Sequence, residues 1–218
     1  MGVERRRVMK CDIEPARVFP RITFRLAAVD DPIVTEESIP MRTVCDNMAL
    51  YYVWIVEEDE EGVGSAKITE EFQDYLGLTE EELFTLALLN TRRLFPMKVQ
   101  IFSEFMEELP EDFPVDVDEE AFNCDMYILS NDRAMYGANS ILYDDVLQSV
   151  CERTNSSLFL LPSSVHEFIA LPMRSEFNEL ELRDLVCYVN NNVLRDGEKL
   201  SDSVYVYDRE RHILRKCA

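Results

Sequence analysis

Nine consecutive apolar residues, Met48 to Val56, place the strongest constraint on how this chain folds. Tyr51, Tyr52, Val53, Trp54 and Ile55 are aromatic or β-branched, the types that fit a pleated surface. No polar residue alternates with them, so a strand built from the run must be covered on both faces. A membrane helix needs roughly 18 apolar residues, far more than this run supplies. The run therefore predicts a central strand.

The flanking segments predict its neighbours. Arg21 to Leu26 alternates polar with apolar, the pattern of a strand with one wet face, and Asp30-Asp31-Pro32 ends it in a turn. Glu57 to Gly62 is a charged hairpin loop, with Val63 to Ile68 as the returning strand. Thr79 and Glu82 have the spacing of a capping box and start a helix with Leu83, Leu86, Ala87, Leu89 and Asn90 on its apolar face, running to about Arg93. Leu94-Phe95-Pro96 stops it. Val99 to Leu109 is expected to form a further helix, with Ile101, Phe102, Phe105 and Leu109 on one side.

Three regions follow along the chain. Residues 1–109 form an amino-terminal α+β half with a basic start, 110–120 an acidic link, and 121–218 a carboxyl-terminal α+β half. In the second half, strands are expected at Met126 to Ser130, Met135 to Leu142, Ser157 to Leu161, Glu167 to Leu171, Ser203 to Tyr207 and His212 to Arg215. Gly137 marks a bulge or a close backbone approach. Helices are expected at Asp144 to Arg153, with Val146, Leu147 and Val150 inward, and from Glu179 to about Asn192, capped by Asn178. The second helix carries Leu182, Leu185, Val186 and Val189 on its apolar face. Short turns join antiparallel strands, so the expected fold class is α+β: antiparallel sheet with helices packed mainly on one face.

Charge and composition exclude several function classes. Net charge is −21, which repels nucleic acid and anionic lipid, so neither direct nucleic-acid binding nor membrane association is expected. The basic residues of the start, including Arg5, Arg6, Arg7 and Lys10, are read as lying against the acidic body. Six scattered Cys, no CxxC pair and no export signal point to free thiols in a reducing cytoplasm. Only two His are present, far apart, and no HxxxH occurs, so no metal site is expected. The acids Asp112, Asp116, Asp118 and Glu120 lack the order of a calcium loop. With six Gly there is neither a phosphate-binding nor a dinucleotide-binding loop, and no cofactor is expected.

The chemistry-bearing residues gather in the second half. Ser163-Ser164-Val165-His166-Glu167 holds the raw material of nucleophilic catalysis, a hydroxyl, an imidazole and a carboxylate. In an extended segment Ser164 and His166 share a face while Glu167 points away, so a third member would come from elsewhere, such as Asp132 or Asp202. No GxSxG elbow is present. The competing reading is a tight corner after Pro162 in which both Ser satisfy backbone groups. Asn131, Asp132, Arg133, Tyr136 and Asn139 lie at neighbouring turns, and together with Ser163, Ser164, His166 and Glu167 they form the candidate binding cluster.

Several strings resemble the bacterial domain-of-unknown-function family 5688. They are Asp46-Asn47-Met48-Ala49, Asn90-Thr91-Arg92-Arg93-Leu94-Phe95-Pro96, Met126-Tyr127-Ile128-Leu129-Ser130-Asn131, Tyr136-Gly137-Ala138-Asn139, Ile141-Leu142-Tyr143, Leu161-Pro162-Ser163-Ser164-Val165-His166-Glu167 and Leu200-Ser201-Asp202-Ser203-Val204-Tyr205. They run in order through roughly Val18 to Leu214. Arg92 stands where family patterns often carry Pro. The resemblance implies fold and boundaries, and an extra amino-terminal region that this chain lacks; it brings no known catalytic residue or cofactor. The leading expectation is a non-enzymatic interaction or regulatory module with a protein partner. The alternatives are a small-molecule binder or hydrolase at the Ser164/His166 corner, and an acidic mimic of nucleic acid. Oligomeric state is left open.

Overall fold

The computed structural model describes residues 13–35, 38–58, 62–107, 125–174, 177–195 and 197–217. The acidic link and most of the basic start fall outside them. The elements in chain order are α1 (Pro15–Val18), β1 (Ile22–Ala28), α2 (Pro32–Thr35), β2 (Met41–Val44), β3 (Met48–Glu58), β4 (Val63–Lys67), α3 (Glu70–Leu76), α4 (Glu80–Leu94), β5 (Met97–Ile101) and α5 (Phe102–Glu107). Then come β6 (Tyr127–Asn131), a 3-10 segment (Gly137–Leu142), α6 (Asp144–Thr154), β7 (Leu158–Ser164), β8 (Glu167–Pro172), α7 (Glu179–Asn192), β9 (Tyr205–Asp208) and β10 (Ile213–Lys216). The class is mixed α+β with antiparallel sheets.

The apolar run is β3, the spine of the first sheet. Antiparallel β1 lies along one side, with Phe24 opposite Tyr52, and β2 and β4 follow one another along the other side. Met48, Leu50 and Tyr52 enter one core while Ala49, Tyr51, Val53 and Ile55 enter another, so both faces are covered. Thr23 on β1 is buried too, which corrects the expected wet face. The reason is tertiary: Phe95, Met135 and Tyr136 from distant parts of the chain gather beside Thr23.

The second sheet has six strands in the order β10-β9-β7-β8-β6-β5, every neighbour antiparallel. One core runs between the sheets, joining Ile22, Phe24 and Leu50 of the first to Leu129, Leu160, Phe168 and Tyr205 of the second, with Leu83 of α4 and Leu147 and Val150 of α6. Strand β5 belongs to the second sheet although its residues precede the link. The expected helix over Val99 to Leu109 is thus a strand followed by the short α5, because Met97 to Ile101 pair with Asn131 to Tyr127. Sheet pairing overrides the local helical spacing. The expected strand over Met135 to Leu142 is the 3-10 segment, entered through left-handed Ala134 and Tyr136. The anticipated corner at Pro162 lies further on: β7 runs through a bulge to Ser164, and the turn is Val165-His166.

The helices divide across the second sheet. Leu158 and Leu160 face α6 and the shared core, while Phe159 and Leu161 face α7 with Leu182 and Val186. The two amphipathic helices therefore do not share a face of the β-layer, as strand alternation in β7 requires.

Local chemistry sets the ends. Thr79 Oγ1 accepts from the Glu82 N–H at 3.3 Å and Glu82 returns the bond to the Thr79 N–H at 2.8 Å, the expected capping box. Asn178 Oδ1 accepts from the Leu180 N–H at 2.9 Å. Glu80, the first residue of α4, is fixed to the first sheet by bonds from Arg42 Nε at 3.1 Å and from the Tyr52 hydroxyl. The Arg42 guanidinium, with Tyr52 helping, holds the Glu80 carboxyl below the usual range against an opposing desolvation effect. Gly137 sits where the chain crosses β6. A Cβ there would lie 2.5 Å from the His166 carbonyl oxygen and 2.7 Å from Ser130 Cα.

Two outcomes are expected. Gly137→Ala should destabilise by about 1–3 kcal/mol through overpacking against backbone, read from the urea midpoint. A carboxyl with a depressed folded pKa stabilises the fold above its unfolded value of about 4.3 and loses that contribution as pH falls through the folded value. Glu80→Gln should therefore lower stability at neutral pH and flatten the decline between about pH 5 and 3, measured by denaturant titration across that range.

Candidate functional site

Part of the candidate cluster, Asn131, Ser164 and His166, meets around the 3-10 segment, and these side chains hold backbone. Asn131, the last residue of β6, accepts from the Arg133 N–H at 3.0 Å and the Met135 N–H at 3.3 Å and donates to the Met135 carbonyl at 2.7 Å. It closes its own turn. His166 Nδ1 accepts from the Tyr136 N–H at 3.1 Å, which leaves the proton of a neutral ring on Nε2. The His166 N–H donates to Ser164 Oγ at 3.0 Å, and its carbonyl accepts from Ser130 Oγ at 2.8 Å. The Ser164 hydroxyl thus serves the backbone of His166 and not its imidazole. Tyr136 lies beside that ring, centroids 5.5 Å apart, with the Arg25 guanidinium 3.8 Å from the centroid of its own ring.

The remaining members point elsewhere. Asn139 is buried in the shared core and donates to the Phe24 carbonyl of β1 at 2.9 Å; its Oδ1 has no partner among the described residues. Asn139 and Tyr136 line a cavity of only about 10 Å³, room for a single water. Asp132 is exposed, tied by its N–H to the Pro96 carbonyl at 3.0 Å. Ser163 donates to Glu167 Oε1 at 3.1 Å and opens onto a different cavity. Among the described residues, Met135, Tyr136 and Asn139 line one cavity and Ser163 another.

A second polar cluster joins α6 to the β9–β10 hairpin. Buried Tyr207 donates to Asp144, whose other oxygen lies 2.8 Å from His212 Nδ1. The Tyr207 hydroxyl and the His212 ring pull the Asp144 carboxyl below its ordinary range. Gln148 donates to the Tyr207 oxygen at 2.8 Å and to the Arg209 carbonyl at 2.9 Å. Here too the groups fasten elements. Burial pushes the Cys45 and Cys151 thiols up to about 11, away from the nucleophilic thiolate. Among the described residues no group of three or more His, Cys, Asp and Glu could hold a metal ion.

The cavity onto which Ser163 opens is of another kind. It is an apolar groove of about 400 Å³ on the outer face of the second sheet. Its floor is Met126, Leu161, Pro162, Ile169 and Leu171; its sides are Leu185 and Val189 of α7 and Phe102 at the start of α5. The groove follows from arithmetic. Six strands about 4.8 Å apart span about 24 Å. A helix with its side chains is about 10 Å across, and α7 packs over β7 alone among the strands with more than slight contact. Among the described residues, the β8–β6 side is lined by Phe102 at the start of α5. Leu185, expected to point inward, is 53% exposed at the groove's edge, and Tyr188 one turn on is 63% exposed. Sequence reasoning missed this site. The available signal was an apolar stripe on α7 wider than one helix–sheet contact uses.

His166→Ala should cost about 1–2 kcal/mol by leaving the Tyr136 N–H unpaired, read from thermal or urea unfolding. His166→Asn, whose amide oxygen overlays Nδ1, should recover part of it.

A model described as "Family of unknown function (DUF5688)" matches residues 13–209. Neither the curated proteins nor the solved structures provide a match.

Proposed function

The chain belongs to the DUF5688 family, whose function is unknown, and from its geometry we propose that it is a non-enzymatic interaction module that grips a partner protein in the apolar groove beside α7. The observation that carries this reading is the groove's lining: apolar side chains from two helices, two strands and Met126 just before β6, partly open to solvent, with Ser163 at its edge. A small-molecule site encloses about 70–90% of its ligand. This groove instead continues onto exposed Leu185 and Tyr188, which suits side chains presented by a larger partner. The hydrolase alternative at Ser164 and His166 loses support, since both serve backbone groups. The nucleic-acid mimic rests on the −21 charge alone. Free Cys45, Cys151, Cys187 and Cys217 suit the reducing cytoplasm in which we place the protein, and no helix among the described residues is long and apolar enough to cross a membrane.

Peptide display selects the relevant chemistry directly. Peptides enriched on the wild-type protein should carry two or more apolar anchors. They should lose at least about tenfold in affinity for Leu185→Glu, which sets a charge against the apolar lining, and keep it for Leu89→Glu, an exposed position on α4. Enriched peptides indifferent to Leu185 would overturn the proposal.

A further inference from the structure

We infer that the groove takes one basic amphipathic α-helix of the partner; this rests on the interaction reading above and names its occupant. Shape comes first. Among the described residues, the strip of sheet between α7 and the start of α5 has no helix lying over it. A helix there would lay an i, i+3, i+4, i+7 apolar stripe on the floor strands, as α7 does with Leu182 and Val186. A single extended strand would instead need an open sheet edge, and the groove is a face.

Charge selects the helix. On α7, Glu181 stands one turn before Leu185 and Asp184 one turn before Tyr188, so the four exposed side chains form one patch running out of the groove. No ion pair engages Glu181 or Asp184 among the described residues. On the opposite side Glu104 is exposed two residues beyond Phe102. The α7 side of the rim is therefore acidic, within a chain of net charge −21. An acidic or neutral helix would meet like charge or gain nothing from the rim. A helix with Lys or Arg flanking its apolar stripe would pair with it and be steered toward it.

The test uses synthetic helical peptides with a common Leu stripe and either Lys or Glu on the flanks, titrated by fluorescence anisotropy against the full chain. The Lys peptide should bind, weaken as ionic strength rises, and lose at least about tenfold on Leu185→Glu and on the pair Glu181→Lys with Asp184→Lys. The charge-reversed protein should gain affinity for the Glu peptide. Circular dichroism of each variant checks that the fold is kept. If both peptides bind wild type equally and both are lost on Leu185→Glu, the groove reading stands and the basic-helix inference falls. If the Lys peptide binds with no dependence on Leu185, or if neither peptide binds, both fall.

Discussion

The fold depends on what satisfies the outer edge of β1. This strand pairs with β3 on one side only, and its other edge is turned into the shared core, where an unpaired backbone group is costly. Three side chains complete it. Thr91 Oγ1 accepts from the Phe24 N–H at 3.2 Å, Asn139 donates to the Phe24 carbonyl at 2.9 Å, and Asn90 donates to the Ile22 carbonyl at 3.0 Å and the Phe19 carbonyl at 2.7 Å. Thr91 and Asn90 come from α4 and Asn139 from the 3-10 segment of the second half. A strand edge that would otherwise invite a foreign strand is used to join the two halves.

A similar stitch closes the far end. Asn47, in the turn before β3, donates to Ser201 Oγ at 2.9 Å and Ser203 Oγ at 3.1 Å and accepts from the Tyr205 hydroxyl at 2.6 Å. The Tyr205 and Ser201 hydroxyls also share a hydrogen bond of 2.7 Å, and burial holds the phenol protonated well above the ordinary range. With these bonds, residues of the strings Asp46-Asn47, Asn90-Thr91, Tyr136-Gly137-Ala138-Asn139 and Leu200-Ser201-Asp202-Ser203 form two groups of polar contacts that hold the first sheet to its neighbours. Truncating one partner would strand the other in the core, so such strings answer to folding before chemistry.

What the sequence makes legible follows from range. Strand β3 and helix α4 are set by short-range physics, an apolar run and a capping box, and both lie where those signals put them. Val99 to Leu109 carries helix-like spacing, yet the register of Met97 to Ile101 against β6 decides the outcome for its first residues, and that partner lies beyond the acidic link. Gly137 announces close approach correctly, but the approaching backbone is that of Ser130 and His166, which no local pattern specifies. The Ser164 and His166 corner is readable as turn chemistry or as catalysis until the direction of each hydrogen bond is known.

The groove was hidden for the opposite reason. It is made of residues that any pattern assigns to the core, and among the described residues one long helix does not span the six-stranded sheet above them. Strand alternation also explains why the two surfaces differ. In β7 the side chains of Leu158 and Leu160 enter the core shared with the first sheet, so that face is filled. Phe159 and Leu161 point to the other face, where the first sheet cannot reach and α7 covers only part of the width. The polar groups of the inner face are spent on joining sheets, and the apolar surplus of the outer face is the surface that the proposed interaction would use.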